Sequence, residues 1–146
     1  MPAPIQILLI EDNEADVWLI RKAFEEADFP NELTLLRDGA DALAFLQDAN
    51  SHADRLPDLV LMDLNLPRVD GTSLLHVFRE QPKLENIPLV LLSSSQSPND
   101  RAKAQQVRHG LFLMKPSDLD EFLALGRKIK AFWEECRGAE RSGTPA

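Results

Sequence analysis

The chain has 146 residues, of which 44% are hydrophobic, and its formal net charge is −8. This size and composition suit one folded domain with a substantial core, and they argue against intrinsic disorder. The acidic surplus disfavours nucleic-acid binding by phosphate neutralisation, and it disfavours an anionic membrane surface in the same way. The single cysteine excludes an internal disulfide. The N-terminus lacks the basic segment and long apolar segment of a signal peptide, and no apolar run is long enough to span a membrane. We therefore expect a cytoplasmic protein.

Short apolar runs that alternate with amphipathic segments predict strands and helices in turn. Residues 7–10 form the first apolar run, and we expect a buried strand there. We expect Asn13 to cap the following helix and Asp16, three residues later, to complete a capping box. The apolar face of that helix is predicted from residues at helical spacing: Val17, Leu19, Ile20, Ala23, Phe24 and Ala27.

The next elements lead to an aspartate at the end of an apolar strand. Residues 33–36 predict a second strand, residues 42–46 carry a second helix, and residues 47–57 are polar and predict a loop. Residues 58–62 are apolar after Asp58 and are flanked by prolines, which predicts a strand buried on both faces. Asp63 follows this run. Its carboxylate is either a strand cap or a reactive group at the edge of a sheet.

A third helix and a fourth strand-helix unit come next. We expect Asp70 to cap the third helix, which ends near Pro82. Residues 89–92 predict a fourth buried strand. Ser97, Pro98 and Asp100 have the pattern of a helix start, with a capping serine and a proline at the first helical position. The apolar face of this fourth helix is thin.

The chain closes with a fifth strand and a last helix. Residues 111–114 predict the strand, and Ser117 with Asp120 predicts the cap of the helix. The apolar stripe of this helix includes Phe132 and Trp133, which we expect in the core or partly in a dimer interface. We expect the domain to comprise residues 1–136 and residues 137–146 to form a disordered tail.

Five apolar strands that alternate with five helices predict an α/β fold. Such a pattern requires a parallel sheet covered on both faces, and right-handed crossovers make an open doubly wound sheet the simplest solution. Ligands of these sheets bind at the carboxyl ends of the strands. We therefore expect the polar residues that follow the strands to lie together.

Five polar residues follow four of the predicted strands: Glu11, Asp12, Asp63, Ser93 and Lys115. Two like charges about 4 Å apart repel by roughly 4 kcal/mol at an effective dielectric near 20, so three carboxylates call for a counter-ion. Their hard oxygens suit Mg²⁺. Lys115 and Ser93 would bind phosphoryl oxygens, and Asp63 would be the nucleophile that forms an aspartyl phosphate.

Each of these residues also has an ordinary structural explanation. Glu11 and Asp12 are suited to capping the first helix, Ser93 to a serine-rich turn, and Lys115 to a solvated surface position. One shared site accounts for all of them together, whereas the ordinary explanations require separate coincidences.

Four motifs resemble the receiver domain of two-component response regulators. They are Ile-Leu-Leu-Ile-Glu11-Asp12-Asn, Leu-Met-Asp63-Leu-Asn65-Leu-Pro67, Leu-Leu-Ser93-Ser94 and Met-Lys115-Pro116. The resemblance implies a flavodoxin-like sheet with strand order 2-1-3-4-5. It also implies that a histidine kinase phosphorylates Asp63, and that the output is binding to another protein.

The resemblance further implies roles for individual residues. Mg²⁺ would be held by Glu11, Asp12, Asp63 and the backbone carbonyl of Asn65. Ser93, Ser94 and Lys115 would bind the phosphoryl group, and Phe112 would be the aromatic switch residue. Asn65 and Ser95 would tune the rate of dephosphorylation.

A finer resemblance is to the single-domain regulators that partner bacterial phytochromes. It is carried by the Glu-Asp-Asn start, the polar loop at 47–57 and the aromatic-bearing last helix. It implies a bacteriophytochrome kinase as the partner. A homodimer is expected through the face formed by the fourth helix, fifth strand and fifth helix.

Rival functions stay open at this point. A receiver used only as a scaffold would be expected to lack one of the key residues, and none is missing. A phosphorelay intermediate fits equally well. A Mg²⁺-dependent hydrolase is disfavoured because Arg68 stands where its aspartate nucleophile would be. Flavin binding is disfavoured because the acidic residues after the first strand would repel the cofactor phosphate.

Overall fold

The computed structural model describes residues 4–48, 56–66, 71–94 and 98–141. Strands and helices alternate along the chain. The strands are β1 Ile5–Ile10, β2 Asn31–Leu36, β3 Leu59–Asp63, β4 Leu89–Ser93 and β5 Gly110–Met114. The helices are α1 Glu14–Glu26, α2 Gly39–Gln47, α3 Gly71–Glu80, α4 Pro98–Lys103 and α5 Leu119–Arg141, with a 3₁₀ turn at Ala104–Gln106.

The five strands form one parallel sheet in the order β2-β1-β3-β4-β5. This confirms the α/β class, the doubly wound architecture and the predicted strand order. Asp63 lies opposite Leu92 on β4, and Ser93 lies opposite Met114 on β5. The carboxyl ends of β3, β4 and β5 are therefore aligned to within one residue.

Apolar residues cover both faces of the sheet. One cluster packs α2 and α3 against it, and the other packs α1 and α5 against the opposite face. Every residue of β3 and β4 is buried, as expected for central strands of a parallel sheet. Every residue of the edge strand β5 is only half-buried. Phe132 and Trp133 pack against the core, and the Trp133 ring centroid lies 5.8 Å from that of Phe29.

Two helix starts differ from the predictions. α5 is capped by Asp118 rather than by Ser117, because Asp118 Oδ1 accepts the backbone N–H groups of Asp120 and Glu121 at 2.8 and 3.2 Å. Aspartate caps as well as serine does, and a helix that begins at Leu119 places residue 118 at the cap. Asn13 does cap α1, accepting the Asp16 N–H at 3.1 Å. The other half of the predicted box is wrong, because the Asn13 N–H donates to Glu11 Oε2 and not to Asp16.

α4 is a short helix, and α5 is longer than predicted. α4 ends at Lys103 and buries none of its own residues, so its thin apolar face yields a short helix. α5 continues to Arg141, and the tail predicted from residue 137 is therefore helical over 137–141. The guanidinium carbon of Arg137 lies 4.9 Å from the centroid of the Trp133 ring, one turn earlier in the helix. This contact favours continuation of the helix past residue 137.

Some predictions lie outside the described residues. They are the helix caps Asp70 and Ser97, the family position Ser95, most of the loop at 47–57, and the tail at 142–146. Among the described residues, no helix combines the length and the apolar character needed to cross a membrane.

Candidate functional site

The polar residues predicted to converge do lie together at the carboxyl edge of the sheet. Glu11 follows β1, Asp63 and Ser93 end β3 and β4, and Lys115 follows β5. The sheet fixes these positions through its backbone, because the Lys115 N–H donates to the Ser93 carbonyl at 2.7 Å. Glu11, Asp63 and Ser93 are buried, with exposed fractions of 0%, 4% and 0%.

Lys115 stands at the centre of the site and contacts three carboxylates. Its Nζ lies 2.6 Å from Glu11 Oε1, 2.8 Å from Asp16 Oδ2 and 2.9 Å from Asp63 Oδ2. An ammonium group has three N–H donors, so each contact uses one of them. Lys115 is therefore the counter-ion that permits these acids to be buried side by side.

Asp63 is both a local cap and a member of this cluster. Its Oδ1 accepts the backbone N–H of Asn65 at 2.8 Å, and its Oδ2 faces Lys115. The two roles considered from the sequence are thus compatible, because the carboxylate divides its oxygens between them. The turn that follows β3 is held by one oxygen, and the other is directed into the site.

The buried cluster shifts two protonation equilibria. Burial raises the pKa of the Glu11 carboxyl to about 7, with a further contribution from Asp63, while Lys115 opposes the shift. Burial also lowers the pKa of the Lys115 amine, but its hydrogen bonds to Asp16, Glu11 and Asp63 outweigh that effect. The pKa of Lys115 therefore lies above its usual range, and the amine is charged at neutral pH.

Three carboxylates of the site are close enough to share a metal ion. Glu11, Asp12 and Asp63 each offer an oxygen, and these oxygens lie within 4.8 Å of one another. A set of carboxylate oxygens with one exposed member fits a hard divalent cation that keeps some of its waters. Because Lys115 already occupies Glu11 Oε1, a metal ion would compete with the lysine for this residue.

A comparison with known families identifies the domain. Residues 7–126 match the response regulator receiver domain. The chain belongs to the response regulator receiver family.

Individual relatives extend along nearly the whole receiver. Response regulator Rcp1 of Synechocystis sp. is 35% identical over 133 residues, which is 90% of each chain. The probable methanogenesis regulatory protein FilR2 of Methanothrix harundinacea is 37% identical over 143 residues, covering 98% of this chain and 90% of FilR2.

Solved structures show the same likeness in three dimensions. The phosphorylated cyanobacterial phytochrome response regulator RcpA is 35% identical, with a TM-score of 0.77, over 90% of this chain and 94% of RcpA. The Mn(2+)-bound form of Rcp1 is 34% identical, with a TM-score of 0.76, over 89% of this chain and 94% of that one.

Polar groups on the β4 side of the receiver site form a second network. The Asn65 amide nitrogen lies 3.4 Å from Ser93 Oγ and 3.2 Å from Ser94 Oγ. Ser93 Oγ also donates to Asp100 Oδ2, on the first turn of α4, at 3.3 Å. The Ser93 hydroxyl is therefore connected both to the turn after β3 and to α4.

Phe112 lies on β5, three residues before Lys115. Its side chain is half-buried and packs against the apolar cluster on the α2–α3 face of the sheet. The guanidinium carbon of Arg101, on α4, lies 5.7 Å from the centroid of the Phe112 ring. Phe112 is thus placed between the sheet and α4.

Two acidic residues of the site were not among the residues predicted to form it. The sequence pattern assigns Asp16 and Asp100 to helix starts, yet Asp16 contacts Lys115 and Asp100 contacts Ser93. The available signal was their position in the first turn of helices that begin at the carboxyl edge of the sheet. Side chains in such turns are near any site at that edge.

Proposed function

We propose that the receiver accepts a phosphoryl group from a histidine kinase on Asp63, in a Mg²⁺-dependent reaction. The contact between Asp63 Oδ2 and Lys115 Nζ, 2.9 Å long and buried, carries this proposal. The proposed nucleophile, the Asp63 carboxylate, would thus have beside it a cation that can neutralise a phosphoryl oxygen. The acidic residues needed for a divalent cation lie in the same cluster.

The chemistry follows from the positions of the side chains. A carboxylate oxygen of Asp63 attacks the phosphorus atom, a P–O bond to Asp63 forms, and the bond from phosphorus to the leaving group of the donor breaks with its electron pair. Lys115 then moves one or more of its N–H donors to a phosphoryl oxygen. The Asn65 N–H keeps the other Asp63 oxygen in place during the attack.

Glu11, Asp12, Asp63 and the backbone carbonyl of Asn65 would hold the Mg²⁺. When bound, the ion supplies positive charge that offsets both the repulsion among the carboxylates and the charge of the incoming phosphoryl group. The protein would catalyse only the gain and loss of its own phosphoryl group. Its output would be a changed binding surface.

Ser93 and Phe112 would convert phosphorylation into a change of shape. A phosphoryl group adds roughly two negative charges and strong acceptors, to which Ser93 and Ser94 would donate hydrogen bonds. To reach the group, Ser93 must release Asp100 and therefore α4. Phe112 would then move into the space that Ser93 vacates. An α4 with no buried residues of its own is easily displaced.

Intact mass spectrometry after incubation with Mg²⁺ and phosphoramidate tests the phosphorylation directly. We expect wild type to gain one phosphoryl group and Asp63→Asn to gain none. Asp58→Asn is the matched control, because Asp58 is exposed at the opposite end of β3 and accepts only the Gln6 backbone N–H among its described contacts. A folded wild-type chain that gains no mass would instead support the scaffold function.

The partner proposed for this receiver is a bacteriophytochrome histidine kinase in the cytoplasm. The likeness to Rcp1 and RcpA supports a phytochrome pathway. FilR2, which has a similar identity to this chain, is named as a probable methanogenesis regulatory protein instead. Phosphotransfer from an autophosphorylated bacteriophytochrome should be faster than from a kinase with an unrelated sensor. Equal or reversed rates would contradict the phytochrome pathway, and onward transfer to a histidine protein would indicate a phosphorelay.

A homodimer through the α4–β5–α5 face is the proposed oligomeric state. The edge strand β5 is half-buried at every residue, and Leu119 at the start of α5 is 55% exposed. Both features leave apolar surface for a second copy. Light scattering with and without beryllofluoride, a phosphoryl mimic, measures the mass. We expect wild type to form a dimer, and we expect Leu119→Arg to weaken its association. A wild-type monomer both with and without beryllofluoride would contradict the proposed dimer.

A further inference from the structure

Asp16 contacts Lys115 but has no part in the phosphorylation proposed above. Its Oδ2 lies 2.8 Å from Lys115 Nζ, although the two residues are 99 positions apart in the chain. Both side chains are largely buried, with 20% of Asp16 and 10% of Lys115 exposed. A charged pair of this burial and length is an ordered contact rather than a surface ion pair.

The start of α1 is built so that the Asp16 side chain is available to Lys115. In a capping box, the side chain at the third helical position accepts the N–H of the capping residue. Here Glu11 Oε2 accepts the Asn13 N–H at 3.1 Å instead. The Asp16 N–H still donates to Asn13, which fixes the first turn of the helix. The Asp16 carboxylate is thereby directed at the ammonium group and not at the cap.

The three acceptors of Lys115 differ in what phosphorylation does to them. Asp63 becomes an acyl phosphate, and Glu11 is a proposed metal ligand, so both contacts weaken when the site is loaded. Only the Asp16 carboxylate takes part in neither change. We propose that Asp16 is a positioning residue, which keeps Lys115 directed at the phosphoryl group while the lysine gives up Glu11 and Asp63.

The test compares rates of phosphorylation by phosphoramidate at saturating Mg²⁺. This inference rests on the proposed phosphorylation of Asp63, which the wild-type rate checks separately. Asp16→Asn should slow phosphorylation about tenfold, the size expected for loss of one hydrogen bond between charged groups. Asp16→Glu should restore most of the rate, because it returns a carboxylate to the same turn.

Glu14→Gln is the matched control, because it removes one negative charge from the same helical turn. Glu14 is exposed and pairs with Arg37, whereas the described ion-pair partners of Lys115 are Glu11, Asp16 and Asp63. The control should react at the wild-type rate. All variants should melt within a few degrees of wild type, so that a loss of rate is not a loss of fold.

Two results would overturn the role of Asp16 while leaving phosphorylation intact. One is an Asp16→Asn rate equal to that of Glu14→Gln, and the other is a slow Asp16→Asn that glutamate fails to rescue. A wild-type chain that takes no phosphoryl group would overturn the proposed function itself. A crystal structure of wild type with Mg²⁺ and beryllofluoride needs no variant: the Asp16–Lys115 contact should persist, and its absence would reject the proposal.

Discussion

The hydroxyl of Ser93 donates a hydrogen bond to the carboxylate of Asp100, with an Oγ–Oδ2 distance of 3.3 Å. The other oxygen of Asp100 lies 3.3 Å from Lys103 Nζ, one turn further along α4. The residue at the end of β4 is thus tied directly to α4. Because α4 buries no side chain of its own, polar contacts such as this one help to hold the helix in place.

Replacing Asp100 by alanine should loosen α4. Loss of the hydrogen bond from Ser93 removes about 1 kcal/mol of local stability, so amide hydrogen exchange over residues 98–106 should accelerate roughly fivefold. Mass spectrometry of exchanged peptides measures this. Beryllofluoride should accelerate amide exchange in the same segment of wild type, and it should change the exchange rate little in Asp100→Ala. Lys103→Met is the control, because it breaks the ion pair but keeps the Ser93 contact. A larger effect in Lys103→Met would contradict the assignment.

The raised pKa of Glu11 predicts how metal-free stability changes with pH. The pKa is about 7 in the folded protein and 4.5 in the unfolded reference, so the folded state binds more protons between these values. Unfolding releases a proton there, and the free energy of unfolding falls as pH rises, by at most about 1.4 kcal/mol per pH unit from this group. Glu11→Gln should remove that part of the slope.

Urea unfolding measures this effect at several pH values between 4.5 and 7, in the presence of a chelator. The difference in the free energy of unfolding between wild type and Glu11→Gln gives the contribution of Glu11. The variant should be the more stable protein at the upper end of the range. Parallel profiles for the two proteins would mean that burial does not hold the proton on Glu11.

Replacing Lys115 by methionine should destabilise the metal-free protein. The change leaves Glu11 and Asp63 buried without their counter-ion, a loss of about 3 kcal/mol in comparable cases. Mg²⁺ should stabilise Lys115→Met more than wild type, because the ion no longer competes with the lysine for Glu11. Urea unfolding with and without Mg²⁺ measures both effects. Lys128→Met, on the exposed side of α5, should behave like wild type in both conditions.

Replacing Gly126 by alanine should destabilise the packing of α1 on α5. A Cβ atom at Gly126 would lie 2.1 Å from the Ala23 carbonyl oxygen, so the helices must separate. Overpacking of this kind costs about 2 kcal/mol and outweighs the gain of about 1 kcal/mol from helix propensity. Gly138→Ala in the same helix meets no atom within 4 Å and should be neutral or stabilising. Chemical denaturation compares the two, and equal effects would contradict close packing at Gly126.

Apolar periodicity alone located all five strands to within two residues at each end. The strands of a buried parallel sheet are short, continuous apolar runs, which local sequence displays directly. Convergence of Glu11, Asp63 and Lys115 also followed from the sequence, because parallel strands bring their carboxyl ends to one edge. Helix ends were less predictable, since Ser117 and Asp118 are equally good caps and only packing decided where α5 begins.

Asp16 and Asp100 show the limit of local patterns. Each stands three residues after a good capping residue, so the capping box was the natural interpretation of both. The Asp16 carboxylate instead contacts Lys115, 99 positions away. Asp100, whose predicted capping partner Ser97 lies outside the described residues, contacts Ser93, 7 positions away. A capping box uses only neighbours in sequence, whereas these contacts depend on where other strands end.

The sequence by itself determined the elements, the class of fold and the residue types at the reactive edge, because hydrophobic periodicity and strand ends are local properties. The tertiary structure decided which acids accept hydrogen bonds from the Lys115 ammonium group. A single ammonium among several buried carboxylates is shared according to distance and burial, and those are set by how α1, β3 and β5 pack together.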